Sequence, residues 1–374
     1  MNSIFLKLIQ PFQFKSPFKI EDDDIADIKS DCLRHNLLML VYAQLQRYQH
    51  IISSTKHSNT FLKESRPLFL KNIAFAKLQE ATETKIVSLL REKDIPAIVI
   101  RGNEIVKDIY NSPHCRHSVD IDILIRRSDV YHVDTILSGS GYVSDIPLEY
   151  WLARIHHAAY YHPGTRLLVE IHWNFGVPFF FTLISEEIWK EVIFTESGNI
   201  RLSPEMLLIM LLIHHHSHSF RQLKILVDIL WVIHKYENEI DWYDFTEKLR
   251  KYGLIKTTLI TLGQIRNLWG NTVETMSSIQ ILRQELKKTG LSVPGILISF
   301  FQFYPDENNS QHPYKDKFLA RFVLDKWPNI LLSFIRTLFP APDAIMKLYK
   351  NKRKFSLPLN YLRFIMWRVK AWMD

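Results

Sequence analysis

The chain has 374 residues, enough for two or three core-forming units, and 47% hydrophobic with 13% aromatic content excludes a disordered chain. Eleven glycines, sixteen prolines and two cysteines (Cys32 and Cys115) exclude collagen-like, linker-rich and disulfide-framework proteins and offer no zinc-ligand spacing. The net charge of +8 is uneven: Lys317 to Asp374 holds twelve Lys and Arg against three acids, which leaves about −1 for everything before it.

The two unpaired cysteines suit a reducing, cytoplasmic setting. Met1 to Phe18 mixes apolar and basic residues with two prolines and lacks the apolar core and cleavage site of a secretory leader. No uncharged apolar run reaches the roughly 18–20 residues that span a bilayer. Met206 to Ile213 comes closest, and it runs into a histidine cluster.

Residues 22–91 read as helical. Ile25, Ile28, Cys32, Leu37, Leu38 and Leu40 keep rough helical spacing, and no glycine occurs before Gly102. The run from Phe61 to Leu90 predicts two helices broken near Pro67. Pro96 to Ile100 predicts a short strand ending in a turn at Arg101-Gly102-Asn103. Glu104 to Tyr110 predicts a short helix, and Asn111 to His114 a loop.

Val119-Asp120-Ile121-Asp122-Ile123-Leu124-Ile125 alternates aliphatic residues with two acids. In a strand, alternate side chains take opposite faces, so Val119, Ile121, Ile123 and Ile125 share one face and Asp120, Asp122 and Leu124 the other. Two carboxylates side by side are costly to ionise together. A divalent cation removes that cost, and Mg²⁺ prefers hard oxygen ligands shared with substrate phosphates. The pair therefore points to a metal site for phosphoryl or nucleotidyl chemistry.

Beyond it, Ser128 to Leu137 predicts a helix with Ser128 as N-cap and Gly139 and Gly141 at its end. His156 to His162 and Arg166 to Trp173 predict a hairpin about Pro163-Gly164. Alternation sets Leu168, Glu170 and His172 on one face and Leu167, Val169, Ile171 and Trp173 on the other. From Ser203 the chain reads as helical to its end. Ser203-Pro204-Glu205 is a cap signature, and helices are expected over 204–216, 220–236, 242–251, 254–268 and beyond 275. Residues 303–316, with Pro305, Asn308, Asn309 and Pro313, predict an exposed loop.

Several pieces then combine: Arg101-Gly102, Ile109-Tyr110, Arg116-His117-Ser118-Val119-Asp120-Ile121-Asp122, Glu170-Ile171-His172-Trp173, His215-x-x-His218-x-Phe220, Leu226-Val227-Asp228, Ile240-Asp241-Trp242 and Leu338-Phe339-Pro340. This layout resembles the nucleotidyltransferase superfamily related to DNA polymerase β. Within it, the chain is most similar to the family of uncharacterised nucleotidyltransferases. Arginine stands at position 101 where that family usually has lysine, and the two are not equivalent phosphate binders.

The resemblance implies an α+β fold. A small mixed β-sheet nucleotidyltransferase palm at 92–202 would be flanked by an N-terminal helical segment at 1–91 and a C-terminal helical region with a basic tail at 203–374. It implies transfer of NMP from an NTP to an acceptor, with pyrophosphate released. Asp120, Asp122 and Glu170 would be the catalytic and metal-binding carboxylates, with Mg²⁺ as cofactor and Mn²⁺ as the alternative. Glu170 would also help deprotonate an acceptor hydroxyl. Gly102 and Asn103 would bring backbone N–H groups to the nucleotide phosphates, and Arg101 and Arg116 would meet their charge, unless Arg116, four residues before Asp120, instead orients the acids by a bidentate pair.

The residues allow other readings. His214 and His218 stand four apart, as in some zinc sites, but no His-Glu-x-x-His motif accompanies them. His218 and Asp228 read better as residues holding the helical half against the α/β half. Trp327, Tyr349, Phe355, Tyr361, Phe364, Trp367 and Trp372 among basic residues read first as helix packing, and second as a base-stacking surface. The basic tail suits an anionic partner such as RNA, a phosphorylated substrate or a membrane surface. A non-catalytic nucleotide-binding module and a toxin-like RNA-modifying enzyme are the competing functions. The acceptor stays open among a small molecule, a peptide, a glycan precursor and RNA.

Overall fold

The computed structural model describes all residues except 14–17, 49–51, 54–55, 111–113, 117, 178–179, 196–198, 302, 304–312, 340–341, 343–344, 347–356 and 374. Chain order begins with α1 (Ser3–Ile9), β1 (Phe18–Lys19), α2 (Asp22–Arg34), α3 (Leu38–Arg47), β2 (Ile52–Ser53) and α4 (Lys56–Arg91). The α/β part holds β3 (Ala97–Arg101), α5 (Asn103–Tyr110), β4 (Asp120–Ile125), α6 (Val130–Gly139), α7 (Leu148–Arg154), β5 (His157–Tyr161), β6 (Leu168–His172), α8 (Ser185–Lys190), β7 (Val192–Phe194) and β8 (Ile200–Leu202). Helices follow: α9 (Pro204–Ser217), α10 (Leu223–Lys235), α11 (Trp242–Tyr252), α12 (Ile255–Trp269), α13 (Asn271–Glu274), α14 (Ser277–Lys288), α15 (Gly295–Phe300), α16 (Pro313–Ala320), α17 (Trp327–Leu338) and α18 (Leu357–Met373). The predicted α+β class is the observed one.

The central sheet is mixed, with strand order β3-β4-β6-β5. β3 pairs antiparallel with β4, β4 parallel with β6, and β5 antiparallel with β6 as the expected hairpin. Alternation decides its two faces. Ile121, Ile123, Ile125, Val169, Ile171 and Trp173 are buried with Val130, Val133 and Leu137 of α6 and Ile86 and Leu90 of α4. Leu124, Ile98 and Ile100 join a second apolar cluster that runs through α9, α10 and α12 and reaches back to Phe5. The sheet is therefore packed on both sides, and at its β3 edge Arg101 meets His214 of α9.

Some expectations change. The segment 61–90 is not two helices: α4 runs unbroken through Pro67. An internal proline costs about 3 kcal/mol. Here its ring is exposed, while Phe61 and Ser65 are buried and Phe69 stacks on Tyr42 with ring centroids 4.3 Å apart. Packing on both sides of the proline holds the helix together. Ser128 is not an N-cap: it lies inside a 3₁₀ turn (Arg127–Asp129), and its hydroxyl turns to Asp129. Val119 lies outside β4 and is exposed. α10 starts at Leu223 rather than 220, because Ser219 and Phe220 take left-handed backbone angles. Helix α16 begins at Pro313, inside the predicted loop.

The sequence reading did not anticipate the β7–β8 ribbon or helices α1, α7 and α8. Ser203 caps α9 as expected, accepting from the Met206 N–H at 3.2 Å. Asn111 to Pro113, Pro305, Asn308, Asn309, Pro340, Tyr349 and Phe355 lie outside the described residues. Among the described residues no helix is long and apolar enough to cross a membrane.

Candidate active site

The strand register builds the site. Arg101 of β3 stands opposite Asp122 of β4, and Asp122 stands opposite Glu170 of β6. Three neighbouring strands thus deliver a cation and two carboxylates in one row. A register irregularity between Val99 and Arg101 breaks the pairing just before this row, the kind of feature that re-aims a side chain.

Asp122 is fully buried. Its Oδ1 accepts from Arg101 Nη2 at 2.8 Å and lies 2.8 Å from His172 Nε2. Its Oδ2 is buried with no hydrogen-bond partner among the described residues. Glu170 Oε2 lies 3.2 Å from His172 Nε2 and 3.8 Å from His157 Nε2. Burial alone would raise the Asp122 carboxyl, but Arg101 and His172 outweigh it and hold the group below the usual carboxylate range. Glu170 follows the same balance: burial opposes its ionisation, and the two histidines win. Burial would lower His172, yet its two carboxylate neighbours raise it.

Asp120 is half-buried and accepts from Ser118 Oγ at 2.9 Å. It faces a cleft of about 340 Å³ whose wall includes Arg101, Arg116, His214, His218 and Lys224. Arg116 does not pair with the acidic strand. Its Nε donates to Asp228 Oδ2 at 2.8 Å, and Tyr110 donates its hydroxyl proton to Asp228 Oδ1. Asp228 therefore locks α10 to the α/β part, the structural role expected of it. His218 is hydrogen-bonded to Gln222 in the same helical half.

The family described as uncharacterised nucleotidyltransferase matches residues 24–270, from α2 to the end of α12. The chain belongs to this family. Comparison with curated proteins and with solved structures gives no match. For a nucleotidyltransferase the general activity is transfer of NMP, and the acid row and cationic cleft lie within the matched segment.

A divalent cation fits this nucleotidyltransferase. Asp122 Oδ2 is a buried carboxylate oxygen without a partner among the described residues, and unsatisfied buried acceptors are costly unless something meets them. Asp122, Glu170 and His172 each offer a ligand atom within 4.8 Å of the others. Asp120 lies next along the same strand face. Oxygen donors of this kind suit hard cations.

Gly102 has a packing reason to be glycine. A Cβ there would come within 2.6 Å of Val99 Cγ1 and 2.7 Å of Glu83 Oε1. Its carbonyl accepts the Val106 N–H and opens α5. Asn103 begins that helix, and its side chain lies outside the described residues. Among the described residues the histidines of α9 belong to no cluster of three potential metal ligands. His214 accepts from Arg101 Nη1 at 2.5 Å, His215 bonds Gln264, and His216 bonds the Ala320 carbonyl. Burial and then the Arg101 charge hold His214 well below its ordinary pKa, as suits an acceptor.

The sequence reading passed over Lys224. Among the described residues it makes no hydrogen bond or ion pair, and burial followed by the Arg116 charge lowers it to about 8. A signal was present: Lys224 and Asp228, four apart, are the charged residues in the otherwise apolar run Leu223 to Ile233. Gln79 was also missed. From α4 it donates to the Ser118 and Asp120 carbonyls at 3.4 and 3.3 Å and so steadies the start of β4. One glutamine in a polar helix carries no such signal.

Proposed function

We propose that the protein is a Mg²⁺-dependent nucleotidyltransferase that moves NMP from an NTP to a hydroxyl-bearing acceptor, with pyrophosphate leaving. One observation carries this reading: Asp122 and Glu170 are paired in register, and Asp120 faces a cleft lined by Arg101, Arg116 and Lys224. Asp120, Asp122 and Glu170 would hold the cation, with Mn²⁺ as the alternative. Bound there, it would supply charge stabilisation to the attacking and leaving oxygens.

The protein's own groups divide the remaining work. Arg101 and Arg116, fixed by Asp122 and Asp228, present cations whose positions are set before a nucleotide arrives. Charges aimed in advance at developing phosphate charge are the main protein contribution to phosphoryl transfer. Lys224 makes no hydrogen bond or ion pair among the described residues and lines the cleft, where it is available to the leaving pyrophosphate. Glu170 lies on the far side of Asp122 from the cleft, beside His157 and His172. It is suited to accept a proton from an acceptor hydroxyl approaching over β5 and β6. The triphosphate thus belongs over β3 and β4, and the acceptor over β6.

The test is thermal stabilisation by each of the four NTPs, with and without Mg²⁺. Ligand at 100 times its Kd adds about 2.7 kcal/mol to a protein that binds it only when folded. The expected result is a Mg²⁺-dependent shift that disappears in Asp120→Asn. No shift with any NTP at saturating concentration would reject the reading.

A further inference from the structure

The C-terminal helices lie outside the family match and carry a surface that nucleotidyl transfer does not use. Residues 344–373 contain eight Lys and Arg and no acid. On α17, Trp327, Leu331 and Ile335 recur every four residues, and their exposures are 73%, 51% and 45%. The opposite side of this helix holds it to the body: Ser333 is buried, and Asn329 donates to the Phe180 carbonyl at 3.1 Å. On α18, Leu359, Leu362, Met366 and Val369 form a second exposed row at heptad spacing, while Asn360 and Phe364 are buried. Arg363 and Lys370 are exposed on the same helix. The two helices pack on each other, with the Phe339 and Tyr361 rings 6.1 Å apart.

Monomeric proteins seldom leave such a set of large apolar side chains in water unless something covers them. The charge decides what. A second copy would set Arg336, Arg363 and Lys370 against the same cations of the first, and neither helix carries an acid to meet them. RNA would answer the charge but not the aliphatic rows, since bases stack on aromatic rings. A lipid surface answers both: aliphatic side chains enter the acyl boundary, tryptophan favours the interface, and Lys and Arg meet anionic headgroups. Each cation near such a surface adds to the attraction. No helix among the described residues is long and apolar enough to cross, which suits lying on the surface rather than spanning it.

We propose that α17 and α18 dock the protein on an anionic membrane surface. The experiment is co-sedimentation of the full chain with phosphatidylcholine vesicles, with and without phosphatidylserine, at low and high salt. Binding is expected to be at least about tenfold tighter to the anionic vesicles and to weaken with salt. Leu331→Glu/Ile335→Glu, and separately Leu362→Glu/Met366→Glu, should each weaken it by at least about tenfold. These side chains are exposed, so the melting temperature and the NTP-induced shift should stay unchanged. That separates failure here from failure of the nucleotidyl-transfer reading. Absence of binding to anionic vesicles would overturn the proposal, as would binding that the glutamate variants leave intact. A dimer in light scattering that the same variants split would assign the rows to a second copy instead. Single-stranded RNA bound in preference to vesicles would assign the tail to nucleic acid and equally overturn it.

Discussion

Asp122 and Asp120 are two residues apart, yet their surroundings make them different tools. Asp122 is buried between Arg101 and His172, whereas Asp120 is half-open to the cleft. Both neutral substitutions should therefore remove activity, by about 10³-fold in kcat/KM or ~4 kcal/mol of transition-state stabilisation. They should differ in stability. Asp122→Asn leaves the Arg101 guanidinium buried without its counter-charge, a change that typically costs about 3–5 kcal/mol. Asp120→Asn should unfold close to wild type. Urea unfolding beside steady-state kinetics checks the split, and equal stability losses would mean that the two acids share one environment. Lys224 gives the opposite pattern. Its lowered pKa means that folding disfavours its charge. Lys224→Met should keep or raise the melting temperature while the KM for NTP rises by about tenfold, ~1.4 kcal/mol. An unchanged KM would remove Lys224 from the phosphate site.

At the scale of the element, the strands that carry the acids were legible because their signal is local. A period of two fixes which side chains share a face, so Ile121, Ile123 and Ile125 declared the core face and Asp122 the other without knowledge of any partner. The same logic phased Glu170 and His172. What could not be read were contacts between distant segments. Arg116 looked free to serve Asp120, four residues on, but its partner Asp228 lies 112 residues away on α10. Pro67 looked like a helix end because burial on either side of it is not written in the local sequence. Gly102 was read for phosphate, yet its neighbours Val99 and Glu83 already require glycine. Gly102→Ala should therefore cost about 1–3 kcal/mol by overpacking, whatever its effect on nucleotide. A chemical denaturation series measures this directly, and a loss below about 0.5 kcal/mol would show that β3 and α4 can part freely at this point.

At the scale of the whole molecule, one apolar cluster joins α1 to α9, α10 and α12, so the helical half and the N-terminus fold around shared contacts. Trp231 and Trp269 donate their indole N–H to the Ile9 and Leu6 carbonyls at 2.9 and 3.0 Å across that junction. Buried histidines lie at the same junctions. His35, His215 and His216 are almost inaccessible, and burial above all lowers each to about 4. In the unfolded chain they titrate near 6.5, so between these values the unfolded state binds more protons than the folded one. Stability must then rise with pH across that window and fall as the solution is acidified below about 6.5. Each such histidine contributes a slope of up to about 1.4 kcal/mol per pH unit, and three acting together up to about 4. The carboxylates add little in that window: Asp122 and Glu170 are held below their ordinary values, so their contribution is lost only at still lower pH. Urea midpoints from pH 7.5 to 4.5 should fall steeply below pH 6.5. His216→Gln, which can still donate to the Ala320 carbonyl, should flatten the slope by about one proton's share. A midpoint constant from pH 7 to 5 would mean that these histidines are protonated in the folded protein, and that the junction opens to water.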